Sequence, residues 1–437
     1  MRAQEHIVII GNGIAGTTLA RHLRKNSNKK ISLISDESPY FFSRTALMYV
    51  YMGHMKWKHL QPYEASFWKK NNIELIQKRV RAVETDSNRL IFQDQTSITY
   101  NQLVLATGSI PKKFGWPGQE LRGVQGLYSK QDLELLEQQA PSNQVCKRAV
   151  IVGGGLIGVE LAEMLHSRNI PVTFLVREKQ FWNTILPEHS ASLITNHILN
   201  HGIDLKRSTE LKSILPSSQN RVKSILTKDQ EEEIKCDLVG LTTGVQPNIE
   251  FVKPSKIETD TGILIDAYFK TNVSNVYAIG DCAERNYSLG YRPKVESVWY
   301  TGRIMGETLA QTLCGNPTTY TPGHWFNSAK FFAIEYQTYG WVFSTPKKGN
   351  VHFYWKHENE EKAIEIEYEQ STGKFLGINT FGIRLRHEFF NEVLNKNRTA
   401  DYVIQHLSKA NFDPEFFASY ENQIQKKWQQ DSNLHTN

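Results

Sequence analysis

Two short runs in this sequence have the residue types and the spacing to hold a phosphorylated ligand. Gly11-Asn-Gly13-Ile-Ala-Gly16 and Gly153-Gly-Gly155-Leu-Ile-Gly158 both read GxGxxG. In that pattern the first glycine permits a tight turn and the second lets backbone N–H groups approach a pyrophosphate. The third lets a helix pack closely on a strand. The pyrophosphate then sits at the positive end of the helix. A lone GxGxxG arises by chance in loops, and it gains meaning where it follows a strand and opens a helix.

Both copies meet that condition. Ile7-Val-Ile-Ile10 is a continuous apolar run of the kind expected of a buried parallel strand. It leads into the first turn, then a helix from Thr17 to about Lys25 and a second strand at Ile31–Ile34. The same order returns at Ala149-Val-Ile-Val152, the second turn, a helix to about Ser167, and Val172-Thr-Phe-Leu-Val176. This is a duplicated architecture rather than a short repeat. The residues after each second strand select the part of a dinucleotide that is held. In the first copy Ser35 is followed by Asp36 and Glu37, carboxylates placed to accept hydrogen bonds from ribose hydroxyls. In the second copy Val176 and Arg177 stand at the equivalent place and no acid follows until Glu178. Arg177 and Lys179 without an acid would accommodate a 2′-phosphate, a lean toward NADP. Glu178 would serve NAD instead if the turn is shifted by one residue.

Composition bounds the rest. At 437 residues the chain has room for roughly three domains. It is 40% hydrophobic and 22% charged, as ordinary soluble globular proteins are. Cys146, Cys236, Cys282 and Cys314 stand far apart with no CxxC pair, so no metal site or local dithiol is expected. Dispersed thiols, a short polar start before Ile7, and no apolar run long enough to span a bilayer lead to the expectation of a soluble cytoplasmic protein. The net charge is +6, and the first 70 residues hold 11 Lys/Arg against 4 Asp/Glu. With no basic tail, nucleic acid is not expected as a partner. The basic segment serves solubility or docks an acidic partner.

Further motifs lie in order along the chain: Leu103-Val-Leu-Ala106-Thr107-Gly108-Ser109, Leu238-Val-Gly-Leu-Thr-Thr-Gly244-Val-Gln-Pro-Asn248, and Val276-Tyr-Ala-Ile-Gly280-Asp281. With the two glycine turns, and over about residues 5–315, the sequence resembles the pyridine nucleotide–disulfide oxidoreductase superfamily of flavoproteins. Within it the chain is similar to NADH oxidases, rubredoxin and ferredoxin reductases, and the FAD part of nitrite reductases. The resemblance implies an α/β fold with two Rossmann-like three-layer domains, for FAD and NAD(P), of the glutathione-reductase type, plus a C-terminal α+β domain. It implies a split FAD domain at residues 1–112 and 241–320, a nicotinamide domain at 113–240, and a C-terminal domain with a helical extension at 321–437.

By the same resemblance Gly11, Gly13, Gly16, Asp36 and Glu37 would face the FAD adenosine and pyrophosphate, with Ala106, Thr107, Gly108 and Gly244 nearby. Gly280 and Asp281 would meet the ribityl chain, although Asp281 also reads as a helix N-cap before Cys282. Gly153, Gly155, Gly158 and Arg177 would hold NADH or NADPH. Phe42-Ser43-Arg44-Thr45-Ala46-Leu47 resembles the family segment that carries a redox cysteine in NADH oxidases. Ser43 takes the cysteine's position, and a hydroxyl cannot cycle through a sulfenic acid or disulfide. Arg44 matches a cation near the isoalloxazine that pairs with a glutamate like Glu160. That pair would position the nicotinamide and stabilise negative charge on the reduced flavin. Glu160 also reads as a solvated acid in a first helical turn. Glu296 and Trp299, in Pro293–Trp299, would approach the redox centre or simply start a partly buried helix.

The implied activity is FAD-dependent NAD(P)H oxidoreduction with an external acceptor, a small iron–sulfur protein of the rubredoxin or ferredoxin type. The alternatives are a redox sensor holding both nucleotides, an NADH oxidase and a quinone reductase. A homodimer without membrane insertion is expected by resemblance. In the C-terminal third, alternating residues at Val351–Trp355 and Ile364–Tyr368 read as strands. Thr399–Lys409 and Pro414–Trp428 read as helices, the second with an apolar stripe of Phe416, Phe417, Tyr420, Ile424 and Trp428. That stripe packs on the body or lies on a membrane surface. The aromatics from His324 to Phe332 read as core.

Overall fold

The computed structural model describes residues 4–228, 231–413, 415 and 418–434, with side chains to residue 431. They pack as two compact units. The first comprises residues 1–114, 126–138 and 244–322, and the second comprises residues 115–125, 139–243 and 323–437. Residues 126–138 thus group with the first unit although they lie inside the stretch 113–240. The C-terminal third groups with residues 139–243.

The first unit is built on a five-stranded sheet in the order Val276–Ala278, Gln102–Leu105, His6–Ile10, Lys30–Ser35, Ile73–Gln77. Every neighbouring pair is parallel. Ile7, Val8 and Ile9 are fully buried, because a central parallel strand is covered on both faces. The helix Ile14–Asn26 follows the first turn. It packs against the helix Trp299–Leu313, where Gly302 faces Ile14 and Gly306 lies under the backbone of Ala15.

The second unit repeats the design. Its sheet runs Asp204–Lys206, Val172–Leu175, Ala149–Val152, Leu238–Leu241, Val124–Gln125, again parallel throughout. The helix Leu156–Ser167 follows the second turn. The same unit contains an antiparallel five-stranded sheet in the order Phe326–Phe331, Ile334–Gly340, Phe375–Phe381, Ala363–Glu369, Asn350–Lys356. Phe331 is fully buried and Phe332 nearly so, as core aromatics.

The helices of the C-terminal extension fall at other bounds than its pattern suggested. Helices run His387–Asn395, Ala400–Gln405 and Glu421–Leu434, with a 3₁₀ turn at Leu407–Ala410. Pro414, Phe416 and Phe417 lie outside the described residues. Tyr420 and Ile424 are buried on the antiparallel sheet, and the Trp428 ring meets Phe353 at 5.0 Å and Tyr368 at 5.3 Å. Tyr420, Ile424 and Trp428 are therefore spent on the sheet. Among the described residues no helix is long and apolar enough to cross a membrane.

Candidate functional site

In the first unit the chain returns to the glycine turn from two other strand ends. Gly11 has φ +109°, and a Cβ there would lie 2.1 Å from the Ala106 carbonyl oxygen. Only glycine fits a conformation and an approach of this kind. A Cβ on Gly16 would strike the Gly11 carbonyl oxygen at 2.0 Å, whereas one on Gly13 would meet nothing within 4 Å. The outer glycines serve the protein's own packing. The middle one opens onto space a ligand can enter, as a cradle for a dinucleotide requires.

Around this turn, Ala106 N–H donates to the Ile10 carbonyl at 2.8 Å and Thr107 Oγ1 to the Asn248 carbonyl at 2.7 Å. Gly108 accepts from Asn248 N–H at 2.9 Å. Gly244 precedes the strand Val245–Pro247, which pairs with Ser109–Pro111. Gly280 lies against Ala15 of the first helix, 3.1 Å from where its own Cβ would be. Asp281 accepts from Ser109 Oγ at 3.1 Å. Burial pushes the Asp281 carboxyl up, while Ser109 and the Arg44 guanidinium pull against that. No helix follows Asp281. A three-residue 3₁₀ turn, Gly280–Cys282, passes directly into the strand Ala283–Arg285, so the helix-cap reading falls.

The two acids after Ser35 separate. Glu37 takes both arms of Arg44, at 2.9 Å on Oε1 and 2.5 Å on Oε2, and also accepts the Lys130 N–H at 2.9 Å. Arg44 donates to the Tyr128 carbonyl too, and its guanidinium lies 4.6 Å from that ring's centroid. Burial works against the charge of Arg44, but the hydrogen bonds and attraction of Glu37 outweigh it and raise its pKa. Arg44 therefore pairs with Glu37, a partner within its own unit. Glu37 ties the helix Lys130–Gln139 to the first βαβ unit, which is why residues 126–138 group there. Asp36 is exposed, with Arg79 no nearer than 3.8 Å, and is the acid left open to a ribose.

Glu296 also departs from expectation. It is fully buried, bonded to Arg285, to Arg292 at 2.7 Å and to Thr301 Oγ1 at 3.1 Å. A carboxylate so committed braces the start of the Trp299–Leu313 helix, with three of its four acceptor positions taken. Trp299, at that helix's first turn, borders a cleft with Ser43 and Ile14.

In the second unit Gly153 has φ +114°, and a Cβ there would lie 2.6 Å from the Thr242 carbonyl oxygen. Thr242 Oγ1 donates to the Val152 carbonyl at 3.0 Å. Gly158 packs against the Gly153 carbonyl oxygen, 2.5 Å from its would-be Cβ, while Gly155 faces nearly open space. Past the strand Val172–Leu175, Val176 is buried and the Arg177 side chain is 76% exposed. Arg177 Nε donates to Glu178 Oε1 at 2.9 Å, and a Cβ on Gly154 would stand 3.7 Å from Glu178 Oε2. The acid, not the cation, overhangs the glycine turn. The sequence left both readings open because a one-residue shift exchanges them.

Glu160 lies within the helix Leu156–Ser167. Burial pushes its carboxyl up to about 7, helped by Glu163 one turn on. Glu163 Oε1 accepts from Lys330 at 2.8 Å and its Oε2 has no partner among the described residues. Glu160 is therefore half-buried, with its carboxyl poised near neutrality. Among the described residues no cluster of His, Cys, Asp or Glu could hold a metal ion.

Comparison with known proteins agrees with this geometry. The family model described as pyridine nucleotide-disulphide oxidoreductase matches residues 5–303. Rhodocoxin reductase of Rhodococcus erythropolis is 30% identical over 74% of this chain and 76% of its own length. Rubredoxin-NAD(+) reductase of Pseudomonas putida is 26% identical over 75% and 85%. The assimilatory nitrate reductase electron transfer subunit of Bacillus subtilis is 27% identical over 72% of this chain but only 40% of its own length. Among solved structures, a ferredoxin reductase from Rhodopseudomonas palustris superposes with a TM-score of 0.79 at 23% identity, covering 97% of this chain and 99% of that one. With most of its length inside the family match, the chain belongs to the pyridine nucleotide-disulphide oxidoreductase family, whose members are FAD- and NAD(P)H-dependent oxidoreductases.

Proposed function

We propose that this chain moves electrons from NADH, through FAD, to a small acidic iron–sulfur protein. The observation that carries the reading is the state of its thiols. Ser43 stands where related oxidases carry a redox cysteine, and its Oγ lies 3.4 Å from Thr45 Oγ1. Cys282 is buried and donates to the carbonyls of Leu105 and Ile279, and burial pushes its thiol up. Burial pushes Cys146 and Cys236 up to about 12. Thiols held in this way neither attack nor cycle at neutral pH. With serine at position 43, electrons taken from a nicotinamide leave to an outside acceptor. The names of the rubredoxin and rhodocoxin reductases, and the excess of basic residues near the N-terminus, favour an acidic carrier.

FAD supplies a ring that takes a hydride and releases electrons. This chain's residues hold and orient. Gly13 and Gly155 admit the two pyrophosphates, Asp36 accepts ribose hydroxyls, and Asp281 accepts from the sugar chain. Arg44 is a cation fixed by Glu37, and Glu160 positions the nicotinamide. Glu178 over the second turn favours NADH, because a 2′-phosphate there would meet a carboxylate.

Anaerobic mixing of the yellow protein with NADH, and separately with NADPH, tests the reading. Rapid loss of the oxidised flavin band with NADH, followed by reoxidation on adding rubredoxin or ferredoxin, is the expected result. Efficient reduction of coenzyme A disulfide or glutathione disulfide would overturn it.

A further inference from the structure

Two carboxylates, Glu160 and Glu163, stand one turn apart on the helix Leu156–Ser167. At that spacing they share a face of the helix, with Cβ atoms about 5–6 Å apart. Glu160 is half-buried and Glu163 is buried, so water screens their repulsion poorly. The cation of the group is on Glu163. Lys330 Nζ, from the strand Phe326–Phe331, donates to Glu163 Oε1 at 2.8 Å, while Glu163 Oε2 has no partner among the described residues.

The strands packed on this helix add no competing charge. Ala149–Val152, Val172–Leu175 and Leu238–Leu241 carry no ionisable side chain, and Lys330 is the one charged residue of Phe326–Phe331. His166, three residues beyond Glu163, turns its ring toward Phe332 at 6.0 Å and His201 at 6.2 Å.

Two acids this close do not ionise independently, because the first charge opposes the second. A cation on one of them breaks that symmetry. It holds the charge on Glu163 and leaves the proton to Glu160, whose carboxyl is raised to about 7 by burial first and by Glu163 second. Glu160 is two residues past Gly158 and Glu163 five. The acid left to titrate is thus the one nearer the nucleotide turn.

We propose that Lys330 is a positioning residue for the nicotinamide, which by holding Glu163 makes Glu160 the member of the pair that answers to the nucleotide. This role rests on Glu160 being a nicotinamide contact. Lys330 acts through Glu163, and its strand belongs to the antiparallel sheet, which bears on nucleotide binding through this one ion pair.

The pH profile of flavin reduction by NADH tests this in the FAD-loaded protein and its variants. The unaltered chain should show an apparent pKa of about 7. Loss of the cation raises the pair's affinity for its first proton, so Lys330→Met should move that value up by about one pH unit. Lys330→Arg should restore it, and Lys330→Gln replaces the methionine variant if that one does not fold. Glu163→Gln removes the like charge and should move the value down. Adding Lys330→Met to Glu163→Gln should then shift it by less than half as much as in the unaltered chain. A profile that loss of Lys330 leaves in place, or shifts equally with and without Glu163, would overturn the proposal. The same variants are read without nucleotide, as the pH through which the denaturant midpoint falls. If NADH does not bleach the flavin, the electron-transfer reading fails, while this second readout still reports whether Lys330 governs the pair.

Discussion

The glycine turns at Gly11 and Gly153 are two versions of one device, and their differences are more informative than their likeness. In each, the first glycine sits under a carbonyl delivered by a strand from far along the chain, Ala106 in one and Thr242 in the other. In each, the middle glycine has room in front of it. Beyond the turn they diverge. The first helix presents Thr17 and Thr18, both buried, while the second presents Glu160 with its raised carboxyl. The first turn is followed by two acids, one tied down and one open. The second is followed by an acid that overhangs the turn and a cation that points away. Backbone geometry is shared and side-chain electrostatics is not, as expected if both turns hold a pyrophosphate and differ in what lies at either end of it.

The largest effects should come from the glycines, and they separate packing from ligand binding. Gly11→Ala and Gly153→Ala force a Cβ against a carbonyl at a left-handed φ, and each should cost upward of about 4 kcal/mol or prevent folding. Gly13→Ala and Gly155→Ala should leave the fold intact, since both residues already have extended backbone and open space ahead. Gly13→Ala should nonetheless lose FAD at least about a hundredfold, and Gly155→Ala should stay yellow while losing nucleotide affinity to the same extent. Flavin absorbance and nucleotide titration read both. If Gly13→Ala retains FAD normally, the two turns are not paired in the way proposed.

The next contrast is Glu160, which has no counterpart in the first helix. Its carboxyl titrates near 7 in the folded protein against 4.5 for an ordinary glutamate. The folded state then holds the proton more tightly than the unfolded chain. This contribution to stability is fully present below about pH 4.5 and is lost as pH rises to about 7, by about 3 kcal/mol in all. Glu160→Gln should remove that slope, as denaturant midpoints at pH 5 and pH 7.5 would show. Equal slopes in the two proteins would mean that the carboxyl is solvated after all.

A smaller effect distinguishes the paired acids of the first turn. Glu37→Gln strands Arg44 and should cost about 2 kcal/mol, less than a fully buried pair because both groups keep some exposure. Hydrogen exchange should rise in residues 128–138, which Glu37 anchors. Asp36→Ala should do the opposite, leaving stability unchanged and weakening FAD about tenfold. A reversal of these two outcomes would exchange the roles of the acids.

These contrasts also mark what sequence could reveal. The strands Ile7–Ile10 and Ala149–Val152, both turns and the helices after them were legible because they rest on local pattern. The partners of Glu37 were not, since Arg44 follows seven residues on at the start of a 3₁₀ turn and Lys130 arrives from the start of a distant helix. Glu296 was read from the family resemblance as approaching the redox centre, and no spacing rule showed that folding brings Arg285 to it. The arrangement of Asp281 looked like a helix cap, but the chain makes a single 3₁₀ turn and becomes a strand. In the C-terminal third the stripe of Tyr420, Ile424 and Trp428 was visible, whereas the sheet face that absorbs it was not.

The smallest predicted effect is the one that sequence could least decide, the choice between Arg177 and Glu178. Both follow the same strand, and a shift of one residue in the turn sends either of them toward the ligand. The proposed choice of Glu178 rests on Gly154, whose missing Cβ leaves Glu178 Oε2 close over the turn while Arg177 stays exposed. A carboxylate there accepts from the ribose 2′-hydroxyl of NADH and repels the 2′-phosphate of NADPH. Glu178→Gln keeps the size and removes the charge, so it should narrow the preference for NADH about tenfold with little change in stability. Measured as the ratio of kcat/KM for the two nucleotides, that loss should come mainly from better use of NADPH. A wild-type protein that prefers NADPH, with Arg177→Ala abolishing the preference, would show instead that the turn shifts when the nucleotide binds.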